Sequence, residues 1–128
     1  MDGHAKNRID WRNPMKTISK EELKAKLDRG ESFKLVMTMD PNAFEWAHIP
    51  GSININDMQE AVSKLDLDEE VVIYCSSPFC NASFRAYYTL RSLGFKNLRR
   101  YSGGLQDWYE AGYPLEGKMA LELEFSRN

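Results

Sequence analysis

Glu70-Val71-Val72-Ile73-Tyr74-Cys75, running on into Ser76-Ser77-Pro78-Phe79-Cys80-Asn81-Ala82-Ser83, is the stretch that decides the fold. Val71 to Tyr74 are β-branched or aromatic with no polar residue among them. A strand of that kind needs cover on both faces, as in the middle of a parallel sheet. Cys75 stands where the strand ends, and an irregular loop follows from Ser76 to Ala82. From about Ser83 to Leu93 the residues Ala86, Tyr87, Leu90 and Leu93 recur on one helical face, and Gly94 closes the helix.

Upstream, Ser19 and Glu22 form a capping box, Leu23 and Leu27 share a face, and Gly30 ends the helix. Phe33 to Met37 reads as a strand, Asp40-Pro41-Asn42 as a turn, and Ala43 to Ala47 as one or two helical turns. His48-Ile49-Pro50-Gly51 punctuates the chain before a short strand at Ser52 to Ile55. Asn56 with Gln59 is read as a second capping box, opening a helix through Leu65. Downstream, Leu98 to Tyr101 makes a last short strand, and Gly103-Gly104 turns into a helix through Trp108. Residues 1–15 are polar and aperiodic and read as a flexible arm, with Trp11 a residue that docks. Residues 118–128 alternate at Leu121, Leu123 and Phe125, which suits an edge strand. Strands alternating with helices predict an α/β fold with a mostly parallel sheet. Ligands of such sheets bind at the carboxyl ends of strands, which points to the loop after Tyr74.

Composition narrows the function classes. The 128 residues suit one domain, with a core over residues 16–117, and need no disulfide or metal to fold. A net charge of −2 argues against a nucleic-acid partner. A mean hydropathy of −0.56 with no long apolar run argues against a membrane span. Residues 1–15 lack the apolar core of a secretory signal, so the expected compartment is the reducing cytoplasm. There, two cysteines five apart are reactive thiols or buried filler rather than a structural bridge. Two cysteines with His4 and His48 far from them do not make a zinc site, and no cofactor is expected.

A cysteine at a strand–loop–helix junction faces N–H groups with no intrahelical partner and the positive end of the helix dipole. Its thiolate is stabilised there, and the same N–H groups can hold an oxyanion or a persulfide. Position alone leaves two roles open for Cys75: that nucleophile, or a small apolar residue finishing a buried strand.

Four pieces in order bear on the choice. They are His48-Ile49-Pro50-Gly51-Ser52-Ile53-Asn54, Val72-Ile73-Tyr74-Cys75, Leu93-Gly94-Phe95-Lys96-Asn97-Leu98, and Gly103-Gly104-Leu105-Gln106-Asp107-Trp108 with Ala111-Gly112-Tyr113-Pro114. Together, from about Thr17 to Gly117, they resemble the rhodanese (sulfurtransferase) homology domain. The resemblance implies a parallel five-stranded sheet flanked by helices. It also implies a nucleophile at Cys75, cradled by the loop Ser76, Ser77, Pro78, Phe79, Cys80, Asn81, Ala82 and Ser83. That cysteine would take sulfane sulfur from thiosulfate or a thiol persulfide and pass it to a thiophilic acceptor such as cyanide or a thiol.

Departures from the family pattern bear on the donor. Met37, Met39 and Ala43 stand where the family usually carries charges, and the loop lacks the usual Gly and Arg. Pro78 offers no N–H to the cradle. Arg85 is the nearest cation for an anionic donor, with a solvent-facing role as its alternative. A persulfide on glutathione or on a protein therefore stands beside thiosulfate as donor. Cys80 is either a thiol that pairs with Cys75, releasing persulfide sulfur as sulfide or guarding against over-oxidation, or a small hydrophobe under the loop. Asn81 stands six residues after Cys75 where a phosphatase loop needs arginine, which argues against phosphate transfer. His48 reads as architecture, Tyr87, Tyr88 and Trp108 as core, and Arg99-Arg100 as a solvated strand end. Phe79 either rims the pocket or packs locally. Two other classes stay beside the enzyme: a non-catalytic rhodanese-like binding module, and a redox sensor built on Cys75 and Cys80. Oligomeric state is not encoded legibly.

Overall fold

The computed structural model describes residues 12–121. The strands are β1 (Lys34–Met37), β2 (Ser52–Asn54), β3 (Val71–Tyr74) and β4 (Leu98–Tyr101). All four are parallel, in the order β2-β1-β3-β4. The helices are α1 (Lys20–Asp28), α2 (Pro41–Trp46), α3 (Met58–Lys64), α4 (Ala82–Ser92) and α5 (Gly104–Glu110).

The unbroken apolar run of β3 is explained by its place between β1 and β4, where every one of its side chains is buried. Val71 and Ile73 face one core with Ala61 and Leu65, Tyr87, Leu90 and Phe95. Val72 and Tyr74 face the other, with Leu23, Ile49 and Trp108. Period-two alternation thus feeds two cores instead of one core and solvent. On α4 the inward row is Ser83, Tyr87 and Leu90, whereas Leu93 is largely exposed.

The sheet has four strands among the described residues, not the five the resemblance implied. Residues 16–18 run beside β4 but form a single bridge, Thr17 with Arg100. Ser19 then caps α1 by accepting from the Glu22 N–H at 3.1 Å, which ends the extended run after one pair of bonds. Residues 118–121 turn helically, where an edge strand was expected. The remainder of that expected strand, with Leu123 and Phe125, lies outside the described residues, as does Trp11 of the expected arm. Asn13 within that arm is held, its carbonyl accepting from the Arg91 guanidinium at 2.6 Å. The second capping box is shifted by one: Asp57, not Asn56, accepts from the Glu60 N–H at 2.8 Å. His48 is architectural, stacked on Phe44 and bridged through its backbone to Glu116.

Arg99 and Arg100 are not a solvated pair. Arg99 makes two-pronged bonds to the Glu22 carboxylate at 2.8 and 2.9 Å. Arg100 is 9% exposed, and its Nε donates to Ser83 Oγ at 2.9 Å. Strand alternation sends one arginine to the α1 side and the other under the first turn of α4.

One polar knot joins α1, β4 and α5. The Asp107 carboxylate accepts from the Tyr101 hydroxyl at 2.7 Å and from Lys20 Nζ at 3.1 Å. The Tyr101 bond, then Lys20, holds the Asp107 carboxyl below its ordinary range, against the opposing effect of burial. A depressed carboxyl binds protons less readily in the fold than in the unfolded chain. Its contribution is therefore complete above the ordinary carboxylate pKa and is lost as pH falls toward the folded value. Thermal unfolding followed from neutral to acid pH should show a falling midpoint. Asp107→Asn should flatten that slope by of order 1 kcal/mol, since the group is partly solvated.

Candidate functional site

Cys75 follows β3 at the carboxyl edge of the sheet and is 1% exposed. Its carbonyl accepts from the Leu105 N–H at 2.9 Å, and the Ser76 carbonyl accepts from the Gln106 N–H at 2.8 Å. The start of α5 therefore spends its first-turn donors on the chain leaving β3. Gly104 makes this approach possible. With φ +70° it lies so close that a Cβ would stand 2.7 Å from the Cys75 carbonyl oxygen and 2.9 Å from the Ser77 nitrogen. The other side of the strand end is held by Thr38, whose N–H donates to the Tyr74 carbonyl at 3.0 Å.

Beyond Ser76 the loop doubles back. The Cys80 N–H donates to the Ser77 carbonyl at 3.2 Å, and the Phe79 N–H donates to Ser77 Oγ at 3.3 Å. This turn brings Cys80 over the strand end, where it is joined to Cys75 as a disulfide with the Cα atoms 6.4 Å apart. Cys80 is half-buried, while Pro78 and Phe79 at the tip are exposed, Phe79 to 91%. Two cradle amides, those of Phe79 and Cys80, are thus engaged within the loop. Asn81 makes no side-chain cap on α4, so it leaves the first-turn N–H groups of that helix uncapped on the side of the loop.

Met39 packs against the cysteine. Its Sδ lies 3.4 Å from Cys75 Sγ, and since that sulfur carries no thiol proton the contact is one of dispersion. Met37 is buried against the same core. No charged side chain bonds to Cys75 among the described residues. Arg85 lines a cleft of about 300 Å³ between α3 and α4, with Thr38, Asp57, Ala82 and Thr89. Ser83 is buried and engaged with Arg100, so its hydroxyl anchors the first turn of α4. Arg100 is the residue of this site that the sequence reading misplaced. The signal available was its register with Leu98, which puts both on the face covered by α4.

A family model described as the rhodanese-like domain matches residues 19–111. A thiosulfate sulfurtransferase, GlpE of Pseudomonas syringae, is 32% identical over 103 residues, covering 79% of this chain and 92% of that one. A Bacillus subtilis protein named as a sulfur carrier, YrkF, is 31% identical over 93 residues, covering 71% of this chain. The chain spans only 49% of that relative's length. Among solved structures, the BH2092 protein of Bacillus halodurans superposes with a TM-score of 0.76 at 24% identity, covering 81% of this chain and 78% of the other. The Alr3790 protein of Anabaena superposes with a TM-score of 0.73 at 26% identity, covering 85% and 99%.

Proposed function

The chain belongs to the rhodanese-like domain family, and we propose that it moves sulfane sulfur through a persulfide on Cys75. The observation that carries this is the place of Cys75. It lies at the end of the central strand, its backbone clamped by α5, with a loop leading to an uncapped helix start. A reduced thiol there is favoured as thiolate by the helix dipole. Covalent capture then splits one transfer into two displacements at sulfur. Relatives named as sulfurtransferase and sulfur carrier support the reaction class.

The wall around the sulfur bears on the donor. Met39 supplies apolar, polarisable surface beside the sulfur, and Arg85 lines the cleft between α3 and α4. A dianionic thiosulfate gains no ion pair beside Cys75, whereas a thiol persulfide needs none. Glutathione persulfide or a protein persulfide is the favoured donor, and a thiol or cyanide the acceptor. Because the cysteines must be reduced before they react, the activity belongs in a reducing compartment such as the cytoplasm.

Intact-protein mass spectrometry tests this on reduced protein exposed to thiosulfate or to glutathione persulfide. The expected result is uptake of sulfur from the persulfide, seen as a retained adduct or as released sulfide, with little from thiosulfate. Cys75→Ser removes it entirely. Absence of any sulfur gain or sulfide release from either donor overturns the reading.

A further inference from the structure

The two sulfurs at the site differ in access, and that difference has chemical content. In the disulfide Cys75 is 1% exposed, so Cys80 is the sulfur that solution reaches first. Cys80 is half-buried and already lies within bonding reach of Cys75 Sγ. The Ser77 turn holds it there, while α5 fixes the Cys75 backbone. An acceptor built into the loop meets the persulfide ahead of any external one.

We propose that Cys80 resolves the Cys75 persulfide, making the protein a persulfide reductase that releases sulfide and draws its electrons from a dithiol. The proposal rests on the sulfur-transfer reading of Cys75 given above. In the first step the Cys75 thiolate attacks the outer sulfur of a persulfide donor, and the donor leaves as its thiolate. In the second the Cys80 thiolate attacks Cys75 Sγ, the inner sulfur. The bond between Cys75 Sγ and the outer sulfur breaks, and the outer sulfur departs as hydrosulfide with the bonding pair. That sulfur is reduced by two electrons, and the two cysteines are oxidised together to the disulfide present in the structure. An external dithiol then attacks Cys80, the more accessible sulfur, and displaces Cys75 as thiolate. Its second thiol displaces Cys80 in turn, so the dithiol ends as a disulfide and both cysteines are thiols again. Overall one persulfide and one dithiol give one thiol, one hydrogen sulfide and one disulfide.

The test is a single turnover. Fully reduced wild type, Cys75→Ser, Cys80→Ser and Cys80→Ala are each given one equivalent of glutathione persulfide without reductant. Sulfide is trapped with monobromobimane, corrected for a donor-only blank, and the protein mass is read. Wild type is expected to release one equivalent of sulfide and to become two hydrogens lighter. Both Cys80 variants are expected to keep a stable one-sulfur adduct and release no sulfide above the blank. Dithiothreitol should return wild type to two thiols and allow a second equivalent. A wild type that keeps its adduct as the Cys80 variants do overturns the resolving role and leaves sulfur transfer standing. Sulfide release from Cys75→Ser equal to wild type overturns the order of the two thiols. If neither wild type nor the Cys80 variants gain sulfur or release sulfide, the transfer reading itself falls.

Discussion

Gly104→Ala is expected to destabilise the protein by about 3–4 kcal/mol, from left-handed strain of roughly 1–2 and the loss of two backbone hydrogen bonds at about 1 each. The added methyl meets backbone, not a side chain that can swing aside. It would lie 2.7 Å from the Cys75 oxygen and 2.9 Å from the Ser77 nitrogen. Either α5 backs away, losing the bonds from Leu105 to Cys75 and from Gln106 to Ser76, or the strand end moves and carries the loop with it. Gly112 supplies the control. It has φ +77°, but a Cβ there meets nothing within 4 Å, so Gly112→Ala should cost only the left-handed strain, about 1–2 kcal/mol. Urea unfolding of both variants against wild type measures the difference. Equal losses would mean that close approach of α5 is not what holds the loop. Slower sulfur loading in Gly104→Ala alone would tie the same contact to the chemistry.

That result bears on how much of the site is readable from sequence. Val71 to Tyr74 declared a strand covered on both faces, because an unbroken apolar run has no solvent side to offer, and two cores sit on it as that pattern requires. Gly103-Gly104 followed by Trp108 was recognisable as a turn into a helix. Nothing in those residues says that the turn lands on the carbonyls of Cys75 and Ser76, about thirty positions back in the chain and part of no local pattern. Periodicity reports which way a side chain leaves its own element. It does not report what the facing element presents. Arg100 shows the limit: an arginine beside another at a strand end looks solvated, and only α4, arriving with Ser83, buries it. Arg85 shows the same limit, since its helical position put it near the loop but did not show that α3 packs beside α4 to make a cleft it lines. Cys80 was legible as a possible partner of Cys75 from spacing. The difference in exposure between the two sulfurs was not, because it depends on the turn at Ser77 and the clamp of α5.

Trp108→Ala should cost about 3–5 kcal/mol, the range for truncating a fully buried large aromatic. Trp108 is 1% exposed and sits edge-on to both Tyr101 and Tyr113, and its Nε1 donates to the Pro114 carbonyl at 2.7 Å. Deleting the ring opens a cavity under α5 that Tyr101 cannot fill, because its hydroxyl is held by Asp107. Trp108→Phe separates the contributions. It keeps most of the volume and loses the indole bond, so its cost should be about 1–2 kcal/mol. The ratio of the two variants, measured by urea unfolding, reports how much of the helix is held by packing and how much by the polar staple to Pro114. Since the start of α5 grips the strand end that carries Cys75, Trp108→Ala should also loosen the loop. In native-state hydrogen exchange the Leu105 and Gln106 amides should lose protection in step with the global loss. If those amides keep their wild-type protection while global stability falls, α5 is not the platform on which the cysteine loop rests.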